Sequence, residues 1–80
     1  MEYFVVISEI ENHKGRYFDV KAVFTNFDQA VEYILDNYVV AKYYNHETQR
    51  EKIKKNKKFV IQNGHLSTIY AITSVPMNIL

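Results

Sequence analysis

Between residues 25 and 44 the chain carries one unbroken apolar stripe, and that stripe limits the folds open to it. Phe27, Ala30, Val31, Ile34, Leu35, Tyr38 and Val39 recur at steps of three and four, with Gln29, Glu32, Asp36 and Asn37 opposite. A helix with one apolar face must rest that face on a second layer. Eighty residues leave room for one such layer, because two separate cores would each be too small to fold unaided. Thr25, three residues before Asp28, predicts the helix start as a capping box with Asp in place of Glu or Gln. The helix is expected to stop near Asn37 or to run on to about Tyr44.

The second layer is read from strand signals on both sides of the helix. From Tyr3 to Ile10 the residues are β-branched or aromatic on both alternating faces, Phe4, Val6 and Ile10 on one and Tyr3, Val5 and Ile7 on the other, which predicts a central strand. A polar turn, residues 11–15, leads into a strand whose period places Phe18, Val20, Ala22 and Phe24 on one face. Tyr17, Asp19, Lys21 and Val23 fall on the other, so residues 1–24 are expected as a hairpin with one mostly wet face. Near the C-terminus, Asn63-Gly64 separates two further strand patterns within 58–75 and predicts a two-residue turn, with Gln62 facing His65, Ile61 facing Leu66 and Phe59 facing Thr68. Phe59, Ile61, Leu66, Tyr70 and Ile72 would then share the face that meets the helix. Residues 45–58 hold a single aliphatic side chain, Ile53, and are expected as a charged loop or short exposed helix. Residues 76–80 form a tail after Pro76. The fold class is thus α+β, a β-β-α-β-β single domain over 1–80, with one helix on an antiparallel sheet of about four strands.

Several chemistries lack their residues. There is no Cys, so no disulfide, thiolate nucleophile or Cys-based zinc knot can form, and a reducing cytoplasm is the expected setting. Gly15 and Gly64 are the only glycines, too few for a phosphate-cradling loop or dinucleotide fingerprint. Ser8, Ser67 and Ser74 fall within strand patterns with no nucleophile elbow, and His13, His46 and His65 show no metal-ligand spacing. The start of the chain reads as a strand rather than a signal peptide, and no apolar run nears the roughly 20 residues that cross a bilayer. The expectation is a soluble, non-enzymatic protein with no cofactor, no metal and no membrane partner.

Two surfaces remain. Seven Tyr in eighty residues exceed what a small core needs, and Tyr combines an apolar ring with a polar tip, as binding surfaces favour. Tyr3, Tyr17, Tyr33, Tyr43 and Tyr44 are the candidates for contact with a partner protein. Tyr43 and Tyr44 could equally close the end of the core. The other surface is basic: all nine acidic residues lie in 1–51, whereas Lys52, Lys54, Lys55, Lys57 and Lys58 follow in a cluster with Arg50 just before. Such a cluster could contact phosphates, with Tyr43 and Tyr44 stacking on bases. A near-neutral balance of +1 and a pI of about 8.0 weigh toward a solvated segment and a guarded strand edge instead. Oligomeric sequestration of a signalling nucleotide is a third alternative. The thin core, the two-sided first strand and the apolar tail end Ile79-Leu80 predict a homodimer.

The run Val23-Phe24-Thr25-Asn26-Phe27-Asp28-Gln29-Ala30-Val31-Glu32-Tyr33-Ile34 resembles a strand-turn-helix pattern in short early proteins encoded by bacteriophages of low-GC Gram-positive bacteria. Those proteins are likewise under a hundred residues, cysteine-free and rich in Lys, Asn, Tyr and Ile. The resemblance covers about twelve residues and implies a stoichiometric inhibitor or adaptor of a host protein, anti-defence proteins such as anti-CRISPRs included. It carries no functional residue to this chain, because the shared pattern is structural.

Overall fold

The computed structural model describes residues 1–77 and has the order β1 (Glu2–Asn12), β2 (Gly15–Phe24), α1 (Phe27–Tyr38), α2 (His46–Asn56), β3 (Lys58–Asn63) and β4 (Leu66–Pro76). The strands form one antiparallel sheet in the order β2-β1-β4-β3, so the apolar β1 is central, paired with β2 on one side and β4 on the other. Both helices lie on the same face. Val6 and Ile72 from the central strands and Phe59 from β3 meet Ala30, Val31, Ile34, Leu35 and Val39 of the first helical segment and Ile53 of α2 in one buried cluster. The α+β class stands, and of the charged loop or short helix expected over residues 45–58 the structure forms a helix.

That second helix is capped at both ends. The Asn45 side chain accepts from the Thr48 amide at 3.0 Å, Glu47 sits in the first turn, and Lys54 and Lys55 sit in the last, all favourable to the helix dipole. Lys57 ends it in the left-handed region at φ 60°, its amide donating to the Ile53 carbonyl. The expectation that residues 45–58 could bury little is corrected at one position: Ile53 is fully buried and anchors α2 to the sheet.

Four other points depart from the expectation or close an alternative that it left open. Asn26, not Thr25, caps α1: its extended backbone lets the side chain accept from the Gln29 amide at 3.2 Å. The helix ends at Tyr38, since Val39 leaves the helical region at φ −98°, ψ 101° while its amide still donates to the Leu35 carbonyl. In the second hairpin the turn is Gly64-His65, with Gly64 at φ 61° and Asn63 opposite Leu66. The register moves by two residues and puts Ile61 opposite Thr68 and Phe59 opposite Tyr70, an even step that leaves every side chain on its expected face. The fourth shift is a bulge in β2. Val6 pairs with Ala22 but Ile7 pairs with Val20, leaving Lys21 as the extra residue. The expected place of Ile79-Leu80 lies outside the described residues.

Candidate functional site

The bulge decides what the open side of the sheet displays. A strict period of two would have sent Phe18 and Val20 to the helices along with Ala22 and Phe24. The extra residue reverses the alternation, so Phe18 and Val20 join Val23 on the face away from the helices, opposite Glu9, Ile7 and Val5 of β1. Across β1 and β4 the same face carries Tyr3, Val5, Ile7, Ile69, Ala71, Thr73 and Val75, and β3 adds Val60. Nothing in the described chain covers it: Phe18 is 66% exposed, Val20 59% and Val23 54%. The wet face expected for the first hairpin is in fact an apolar one.

Charge enters that face at Glu9, between Phe18 and Ile69 on the central strand, and otherwise stands at its ends. Arg16 Nε lies 3.5 Å from Glu9 and 3.4 Å from Glu11 at the turn end, and Lys58 stands at the start of β3. Two carboxylates and two cations leave the face neutral.

The tyrosines divide between environments. Tyr3 belongs to the bare face, whereas Tyr17 pairs with Ile10 on the opposite side, at the turn end beyond the helices, where both are exposed. Tyr33 is packed between Phe24 and Tyr38 at ring separations of 5.5 and 5.9 Å, and its hydroxyl donates to the Lys21 carbonyl at 3.5 Å. Tyr38 stacks on Tyr70 at 3.8 Å, and burial, aided by the hydrogen bond with Tyr33, pushes its hydroxyl pKa up to about 12. Tyr44 sets its ring edge against Phe59 at 5.4 Å, so it closes the core end, while Tyr43 stands free in the interhelical turn with the Lys42 ammonium 5.7 Å from its ring. The five candidate tyrosines do not make one surface.

The basic segment is also divided. Arg50 is engaged by Glu32 through two hydrogen bonds of 2.6 and 2.9 Å, a bridge between the helices that holds the Glu32 carboxyl below its usual range. Lys52, Lys54 and Lys55 are exposed on α2, which also carries Glu47 and Glu51 ahead of them. Lys57 is the helix cap. Lys52 and Lys58 flank a groove of about 320 Å³ floored by Tyr44 and Phe59.

A second groove, about 490 Å³, runs beside α1 and is lined by Asp28, Glu32 and Asp36 with Phe24 and Tyr33. Of the histidines, His13 and His65 line a polar cleft between the hairpin tips, and His46 opens α2 with Nε2 2.7 Å from the Val39 carbonyl oxygen. Among the described residues no group of three His, Asp or Glu side chains is placed to hold a metal ion. No helix among them is long and apolar enough to cross a membrane.

The chain matches no family model, no curated protein and no solved structure. The bare sheet face was hidden from sequence reasoning by the bulge, which no residue in Tyr17–Ala22 announces. The one available signal was Val5 and Ile7 sharing a face of a strand that had to be central.

Proposed function

We propose that this chain is a small, non-enzymatic, cytoplasmic protein-binding module, of the kind bacteriophages of low-GC Gram-positive hosts use as inhibitors or adaptors, anti-defence proteins included. One observation carries the reading: a sheet face rich in β-branched and aromatic side chains is left without cover while the other face supplies the core. Contiguous exposed apolar surface of this extent marks protein contact in a chain that must stay in solution. The contact is centred on Phe18, Val20 and Val23 rather than on the tyrosine set as a whole; Tyr3 is the candidate tyrosine that belongs to it.

The nucleic-acid reading has less support. Arg50 is spent on Glu32, and Glu47 and Glu51 share α2 with Lys52, Lys54 and Lys55, which weakens the positive field the helix can offer to phosphates. Nor does a pocket point to nucleotide sequestration, since the larger grooves are lined by carboxylates or by the hairpin tips.

The test is affinity capture with the tagged full chain as bait, against host lysate with and without nuclease treatment and, separately, against an untagged copy of the chain. A stoichiometric protein retained by the native chain and lost from Val20→Asp is the expected result. Retention of nucleic acid alone, or retention of protein indifferent to Val20→Asp, overturns the reading.

A further inference from the structure

Resting on the reading of the bare sheet face as a protein-contact surface, we propose that its occupant is a second copy of this chain, packed face to face to close a β-sandwich with the helices outermost.

Area is the first argument. The four strands hold 11, 10, 6 and 11 residues, 38 in all. With strands about 4.8 Å apart and a rise of about 3.3 Å, each residue occupies about 16 Å² of sheet, so the face spans about 600 Å². Two such faces bury about 1,200 Å² before side-chain relief is counted, which reaches the lower bound of interfaces that are stable and specific. Sheets packed in this aligned manner sit about 10 Å apart with the side chains of both interdigitating. Small residues on β4, Ala71 and Thr73, lie beside the larger Ile7 and Val5, giving relief into which an identical surface can settle.

Charge is the second argument. Glu9, Glu11, Arg16 and Lys58 sum to zero on this face, and Arg16 is already shared between the two glutamates. A neutral face meets its own image without net repulsion, whereas a basic or acidic face would select a partner of opposite sign.

The sheet edges supply the third argument. The β2 edge is kinked by the bulge at Lys21, and the β3 edge opens on Lys57 and Lys58, both devices that resist strand addition. With the edges guarded, self-association is directed to the face. The dimer then presents two α1–α2 layers outward, each with the acidic groove of α1 and the lysines of α2.

Sedimentation equilibrium of the full chain from about 1 to 200 μM tests this. The native chain is expected at twice its 9.5 kDa mass at the upper concentrations. Phe18→Asp and Val20→Asp, on the edge strand and more than half exposed, are each expected to raise the dissociation constant at least tenfold with an unchanged circular dichroism spectrum. Glu51→Lys on the outer side of α2 is expected to leave it unchanged, and Val60→Lys on β3 serves in place of any variant that fails to fold. A native chain that stays at 9.5 kDa throughout overturns the proposal, and so does a dimer indifferent to every face variant. A monomer that still captures another protein in a Val20-dependent manner overturns the second copy as occupant and leaves the protein-contact reading standing. A monomer whose capture ignores Val20→Asp overturns both.

Discussion

The two faces of the sheet carry nearly the same kinds of side chain and meet opposite fates. On the helix side, Val6, Ile72 and Phe59 are buried under α1 and α2; on the other, Val20, Val23 and Phe18 are more than half exposed. Apolar composition alone therefore does not say which face is core. What decides is where the chain places its helices, and in a chain of this length only one face can be covered. The uncovered face is left available for a contact outside the described chain.

The comparison breaks most readily at the core. Ile34→Ala is expected to cost about 2–5 kcal/mol in denaturant unfolding, a large part of the roughly 4–12 kcal/mol typical of a domain this size. A small loss there would mean that the helix layer is not the tightly packed one. Next come the caps that set the helices on their face. Asn26→Ala and Asn45→Ala should each cost about 0.5–2 kcal/mol, by the same measurement, through loss of the bonds to the Gln29 and Thr48 amides.

Lys57→Gly should act in the opposite direction, raising stability by about 1 kcal/mol, because a side chain at φ 60° is strained where glycine is not. Arg50→Gln should cost less than about 1 kcal/mol, since the pair with Glu32 is partly solvated. Its pH signature is more telling than its size. The bridge holds the Glu32 carboxyl below its usual range, so it stabilises the fold above that range and the contribution is lost as pH falls; in Arg50→Gln this part of the acid limb should disappear. At the alkaline end the sign reverses. The unfolded Tyr38 ionises near 10 while the folded one resists to about 12, so stability should fall with rising pH across that window, and less so in Tyr38→Phe. The smallest expected effect is Val23→Thr on the bare face, within about 0.5 kcal/mol at a dilution where the chain is monomeric. A larger loss there would show that the face is covered within one chain.

Much of the fold was legible. The stripe from Phe27 to Val39 fixed the helix and its buried side, and the two-sided apolarity of β1 placed it at the centre of the sheet. The shifted register preserved the alternation, so Phe59, Ile61, Tyr70 and Ile72 kept to the helix side, while Leu66, opposite Asn63 at the turn end, is exposed rather than core. Two features resisted. A single Ile53 among charged residues gives no period to read, yet one buried anchor and good caps are enough to dock α2. The bulge at Lys21 leaves no mark in a run whose alternation is clean on paper, and it turns Phe18 and Val20 from expected core to exposed face. The face expected to be wet is therefore apolar, and of the five tyrosines expected at a surface the fold packs Tyr33 and Tyr44 against other rings.

The central claim, that the bare face is where this protein meets another copy of itself, is tested most directly by isotope-filtered nuclear Overhauser spectroscopy on a mixed sample of labelled and unlabelled chain near 200 μM. Intermolecular contacts among the methyl groups of Val5, Ile7, Val20 and Ile69 are predicted. Their absence, or contacts confined to helix-side and loop residues such as Val40, would contradict it.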